Sequence, residues 1–214
     1  MGRIRTPAFA GIAISVCLVG AAVASAGDYP ETVEATVICE PGCGGVALNG
    51  TGASDLIRVT KKEGRSQAWR IVSEGAAIEV GRRCTAQTPT VAICRVPRGN
   101  FSTGEFFSGD DRVRFDLNQD TTGSFFGEGG DDRLVGSDGE DFHFDGGAGR
   151  DVVRGRAGSD GLLGGAGRDR LEAADGERDQ FVDCGDGVDT AIIDGRDRPV
   201  VDCEAVEVRH GRAG

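Results

Sequence analysis

Asp132, Asp141, Asp151, Asp160, Asp169, Asp179 and Asp189 recur at intervals of 9, 10, 9, 9, 10 and 10 residues. Most of them close a glycine-rich run. Gly146-Gly147-Ala148-Gly149-Arg150-Asp151 returns eighteen residues later as Gly164-Gly165-Ala166-Gly167-Arg168-Asp169. Between them, Gly155-Arg156-Ala157-Gly158-Ser159-Asp160 lacks only the second glycine, and Gly127–Val135 and Gly136–Phe144 extend the series upstream. Carboxylates at a fixed interval, each beside a loop rich in backbone carbonyls, form an array of hard oxygen donors suited to a cation. The pairs Asp110/Asp111 and Asp131/Asp132 could be read as catalytic carboxylates, but inside a repeat they are loop acids.

The elements that must position these aspartates follow from the same nonapeptide. A Gly-Gly-x-Gly loop takes positive φ and turns where a Cβ would clash. The three residues after each aspartate form a short strand whose middle side chain points inward. Those middle residues are Leu134, His143, Val153, Leu162, Leu171, Phe181 and Ala191, apolar except His143. Two nonapeptides make one coil of a flattened solenoid, so loops on one edge recur every eighteen residues. Asp132, Asp151, Asp169 and Asp189 then stack on one edge, and Asp141, Asp160 and Asp179 on the other. Stacked carboxylates repel, and tight turns leave carbonyls unsatisfied. Ca²⁺, which takes six to eight oxygens in flexible geometry, answers both; Mg²⁺, with its rigid octahedron and retained water, suits the loops less.

On these residues the chain resembles the RTX, or haemolysin-type, calcium-binding repeat proteins, with consensus G-G-x-G-x-D-x-U-x, over about residues 109–194. The resemblance implies a parallel β-roll with each Ca²⁺ held between successive loops of one edge by sixth-position aspartates and loop carbonyls. Carried onto this chain, one site joins Gly146, Gly147, Gly149 and Asp151 to Gly164, Gly165, Gly167 and Asp169. A second joins Gly136–Asp141 to Gly155, Gly158 and Asp160, with Asp145 as an extra residue that disturbs the spacing; Asp132, Asp179 and Asp189 continue the two columns. Many relatives use an uncleaved C-terminal export signal and attach the roll to a protease, lipase or pore-forming region, which this chain does not match.

Residues 1–26 read as a cleavable secretory leader: a basic Met1–Arg5, an apolar Ala8–Val23 and an Ala24-Ser25-Ala26 cleavage site. No membrane span is expected after its removal. Six cysteines then remain, Cys39, Cys43, Cys84, Cys94, Cys184 and Cys203, an even number that reads as disulfides in an exported chain. Local pairing (39–43, 84–94, 184–203) is preferred because each pair brackets a turn-rich segment. Closing 184–203 contributes roughly 3 kcal/mol on chain-entropy reasoning.

Charge divides the chain. Residues 27–103 carry 8 acids and 9 bases, whereas residues 104–207 carry 27 acids against 11 bases, within a formal net charge of −11. Such acidity without a basic run argues against a nucleic-acid partner. Two histidines, and no nucleophile elbow, P-loop or H-E-x-x-H, exclude most catalytic constellations. The expected architecture is all-β: a small disulfide-stapled β module at 27–103, with strands at 33–39, 55–60, 67–72 and 90–95, then a β-roll at 104–207 and a tail at 208–214. Residues 191–194 and 199–202 are expected to cap the roll. Gly50–Ile57 mimics a single repeat copy, and Asp116–Asp120 reads as a degenerate coil or surface turn. His143 is expected as a partly buried structural imidazole, and His210 as part of a frayed end.

The expectation for function is a secreted, non-catalytic calcium-binding protein of structural or cell-surface type, disordered without Ca²⁺ and folded with it, binding at roughly 10⁻⁴–10⁻³ M. The competing readings are a hydrolase or polysaccharide-active enzyme scaffolded by the roll, and a solenoid with a flat ligand or ice-binding face. The enzyme lacks convergent catalytic groups outside the repeat. The flat face lacks a Thr or Asn ladder.

Overall fold

The structure, a computed structural model, describes residues 33–38, 45–61, 68–81, 83–95, 101–105, 108–117, 122–141, 143–197 and 199–209. These form twenty strands and no helix. The first seven are β1 (Val33–Ile38), β2 (Gly45–Asn49), β3 (Leu56–Lys61), β4 (Ala68–Ser73), β5 (Ile78–Val80), β6 (Cys84–Thr88) and β7 (Val91–Arg95). Next come β8 (Phe101–Glu105), β9 (Arg112–Asp116), β10 (Thr122–Phe126), β11 (Arg133–Val135), β12 (His143–Gly149), β13 (Val152–Arg154) and β14 (Gly161–Gly167). The last six are β15 (Arg170–Glu172), β16 (Phe181–Asp183), β17 (Asp186–Gly187), β18 (Thr190–Ile193), β19 (Val200–Val201) and β20 (Ala205–Val208).

The chain alternates between two sheets. One runs β19-β16-β14-β12-β10-β8-β2-β1-β5, and the other β20-β18-β15-β13-β11-β9-β3-β4-β7-β6. From β2 to β19 and from β3 to β20 every neighbour is parallel. This is a parallel β-solenoid. Both sheets pass the compositional change at residue 104 without a break, because β2 pairs with β8 and β3 with β9. At the N-terminal end antiparallel pairing enters, β1 on β2 and β4, β7 and β6 in a meander, with β5 added to β1 in parallel, and these strands cover the first coil. Cys84–Cys94 joins register partners of β6 and β7, and Cys184–Cys203 ties the last coils together. Both are the expected local pairings; Cys39 and Cys43 lie outside the described residues.

The core is a file of apolar side chains between the sheets. Leu134, Val153, Leu171 and Ala191 stack in register on one side, Phe144, Leu162 and Val182 on the other, all 0 % exposed. Phe115, Phe125 and Phe144 continue the file as adjoining rings with centroids 4.0 and 5.1 Å apart. Two inward positions therefore differ from expectation. His143 is exposed and Phe181 half-buried, while their neighbours Phe144 and Val182 fill the core. The cause is the ten-residue spacing after Asp141 and Asp179. The extra residue is accommodated before the inward position, turning the following side chain into the core. His143 and Phe181 instead meet on the outer face, ring centroids 5.6 Å apart. The C-terminal end also extends further than expected, since β20 adds a final exposed strand.

Candidate metal centre

The aspartates sit where the chain leaves one glycine turn and enters the next strand. On the first edge each backbone N–H donates to the equivalent carboxylate one coil onward. Asp55 donates to Asp111 at 2.7 Å, Asp111 to Asp132 at 2.7 Å and Asp132 to Asp151 at 2.8 Å. Asp151 then donates to Asp169 at 2.9 Å and Asp169 to Asp189 at 2.7 Å. Glu204 ends the column, accepting from Asp189 N–H at 2.7 Å. On the second edge Asp141 donates to Asp160 and Asp160 to Asp179, both at 2.9 Å, and Asp179 donates to Asp197 at 3.2 Å. The expected aspartates thus stand in two columns, which Asp55, Asp111 and Glu204 lengthen on the first edge and Asp197 on the second.

One carboxylate oxygen of each aspartate is used in this way. The other is buried and without a partner in Asp111, Asp132, Asp151, Asp160, Asp169, Asp179 and Asp189. A buried unpaired carboxylate oxygen is costly, and seven in two files call for a cation. The glycines show what lies opposite. A Cβ at Gly146 would stand 2.7 Å from the unpaired oxygen of Asp151 and 2.7 Å from the carbonyl oxygen of Gly164 in the next coil. The first glycine of neighbouring coils repeats this: Gly127 faces Asp132 and the Gly146 carbonyl, Gly164 faces Asp169 and the Cys184 carbonyl. On the second edge Gly155 faces Asp160. Carboxylate and carbonyl oxygens therefore converge above the bare Cα atoms of Gly127, Gly146 and Gly164 on the first edge.

The turns close tightly. Gly149 and Gly167 hold φ at 148° and 146°, and a Cβ on either would run into the carbonyl oxygen of the preceding coil. Gly147, Ala148 and Gly149 pair in parallel with Gly165, Ala166 and Gly167, so the first-edge loops are themselves part of the sheet. Gly158 is held at positive φ on the second edge. Backbone that cannot move apart keeps the acids of adjacent coils together.

Electrostatics records the strain. Loss of hydration pushes Asp160 up to about 9, Asp111 and Asp179 to about 8, Asp141 and Asp151 to about 7, and Asp132 to about 6. The N–H that each accepts pulls the other way. Carboxylates in the same or adjoining coils add to the rise in Asp111, Asp132, Asp151, Asp160 and Asp179. Asp169 is raised for the same leading reason. At the column ends both carboxylate oxygens have partners. Asp55 accepts from Thr51 N–H at 2.6 Å, and Asp141 accepts from Ser137 N–H at 2.9 Å and its hydroxyl at 3.1 Å. Arg156, paired with Asp138 at 2.6 Å, places a cation near that end of the second edge.

Among the described residues no three His, Cys, Asp or Glu side chains converge on one point. The donor set is therefore paired carboxylates plus loop carbonyls, oxygen throughout, which fits Ca²⁺ and gives zinc no thiolate or imidazole. Asp132, Asp151, Asp169, Asp189 and Asp111 would hold it on the first edge, Asp160 and Asp179 on the second. Asp111, Asp55, Asp197 and Glu204 belong to the columns but lie outside the repeat series of aspartates. Asp111 carried a usable signal, since it lies 21 residues before Asp132 and follows Gly109-Asp110. Asp55 closes the one recognisable copy in the N-terminal region. The Asp116–Asp120 segment is described only through Leu117; Asp116 ends β9 and pairs with Arg58 at 2.5 Å and Arg114 at 2.7 Å.

Fold and site together define a parallel β-solenoid whose turns are lined with carboxylates. The RTX calcium-binding nonapeptide repeat matches the chain in four copies, over residues 124–142 and 143–176. No curated protein and no solved structure matches it. The chain thus carries RTX repeats, and calcium is the ion such repeats bind. Its two described disulfides fit an oxidising environment.

Proposed function

We propose that this is a secreted, non-catalytic protein that uses calcium to close and stiffen its solenoid, serving as a structural or surface component outside the cell. The seven unpaired, buried carboxylate oxygens in two columns carry this reading. Without a cation their charges oppose stacking of the coils; with one, each ion ties two coils. The first edge, with five such oxygens, is the main calcium column. The second contributes at Asp160 and Asp179. Export is supported by the leader-like first 26 residues and the disulfides. Binding energy is then folding energy, so the ion acts as a switch between a loose chain and a rigid rod.

Circular dichroism of the oxidised chain during a calcium titration, with magnesium as control, tests the proposal. A cooperative rise in β signal at or below the millimolar range, specific to calcium, is expected. A spectrum already folded and indifferent to calcium overturns it.

A further inference from the structure

The acids of this chain crowd the two edges, and the outer face of the second sheet is where the arginines gather. Parallel register places Leu56, Arg112, Arg133, Val152 and Arg170 in one row across the strands, and Arg58, Arg114, Val135 and Arg154 in the next. These residues are scattered through more than a hundred positions of sequence and form no run there. Stacked strands lie about 4.8 Å apart, so each row offers side chains at that repeat along the solenoid axis.

Most of the arginines are spoken for. Arg58 and Arg114 pair with Asp116, and Arg154 and Arg170 with Glu172. Arg112 and Arg133 are exposed cross-strand neighbours that form no ion pair among the described residues. Like charges facing each other across two strands repel, so the pair weakens the sheet it sits on. They flank a groove of about 230 Å³ lined by Leu56, 38 % exposed, by Val135, by the paired Arg58 and Arg114, and by one acid, Glu74. Two free guanidinium groups beside apolar side chains, with a single carboxylate against them, suit a ligand with anionic groups along its length and C–H faces between them.

We propose that the outer face of the second sheet binds an acidic polysaccharide, gripped by Arg112 and Arg133, with the chain of sugars lying along the solenoid axis. The observations favour sugar over nucleic acid because, among the described residues, this face has no exposed aromatic platform for bases. Uronate carboxylates and sulfate esters share the chemistry that a guanidinium fork reads. The inference rests on the solenoid and its register, and not on the calcium reading.

The test is binding of labelled oligogalacturonate and sulfated dextran oligomers to the full oxidised chain in millimolar calcium, with circular dichroism of the same sample reporting the fold. Neutral dextran and single-stranded DNA serve as competitors. Wild type is expected to bind one or both acidic oligomers, which also identifies carboxylate or sulfate as the preferred group, and not neutral dextran. The double variant Arg112→Gln/Arg133→Gln should weaken binding at least about tenfold. The charge-matched control Arg150→Gln/Arg168→Gln, in exposed edge loops, should change it less than about twofold. The double variant should melt no lower than wild type, since it removes a repulsion. Three results would overturn the proposal: a folded wild type that binds neither oligomer, equal losses in the two variants, or DNA bound as tightly as the acidic sugars.

Discussion

A carboxylate that accepts an N–H through one oxygen while burying the other has two functions that substitution can separate. In Asp151 the bonded oxygen holds Asp132 of the preceding coil, and the second oxygen has no partner. Asp151→Asn keeps an acceptor and discards the charge. It should lower calcium affinity at least about tenfold by calorimetry, as should Asp169→Asn. If the two acids share an ion, the double variant will lose less than the sum of the two; strict additivity means separate ions. Gly167→Ala isolates the turn from the ligand, because φ of 146° and the Gly149 carbonyl both reject a Cβ. It should cost more than about 1 kcal/mol in urea unfolding with calcium present. An alanine tolerated there at no cost would mean the coils can separate.

Strand register is the level at which the sequence is least explicit. The nine-residue copies declare their inward side chain: Leu134, Val153 and Leu162 are legible because a fixed count runs from the aspartate. A ten-residue copy does not say where its additional residue goes. After Asp169 it falls in the loop and leaves Leu171 inward, whereas after Asp141 it falls before the strand and brings Phe144 in place of His143. Only contact with Phe125 and Leu162 in the adjoining coils decides between these. Phe144→Ala should therefore cost about 3–5 kcal/mol, and His143→Ala under about 1 kcal/mol, in the same denaturation assay. The reverse order would restore the simple count. The columns were legible for a related reason and to a similar limit. Asp132 to Asp189 recur with their glycines, but Asp197 and Glu204 reach the columns from irregular loops, and no spacing announces them. Arg112 and Arg133 become neighbours only once the coils stack.

For the molecule as a whole, burial of so many acids ties stability to protons as well as to calcium. Carboxyls raised from the ordinary 3.8 to about 6–9 favour the protonated form of the metal-free solenoid. Their contribution is therefore complete below about pH 4 and fades as pH climbs through the raised values. Asp116 and Glu172, held low mainly by the neighbouring arginines, act oppositely, but only below their ordinary values of 3.8 and 4.5. In chelator, the β signal followed by circular dichroism should rise as pH falls from about 8 to about 5. In calcium the slope should flatten or reverse, because protons and the ion compete for the same oxygens. A metal-free β signal that falls on acidification would contradict the burial of charged carboxylates. The direction of the carboxylate columns adds a matter of timing. From Asp111 to Asp169 on one edge and from Asp141 to Asp179 on the other, each aspartate N–H reaches forward to an acceptor eighteen to twenty-one residues downstream. A chain emerging N-terminus first always has a newest coil whose acceptor is still unmade. Both files are finished only when Asp197 and Glu204 arrive, so a chain cut before them is left with an open terminal register.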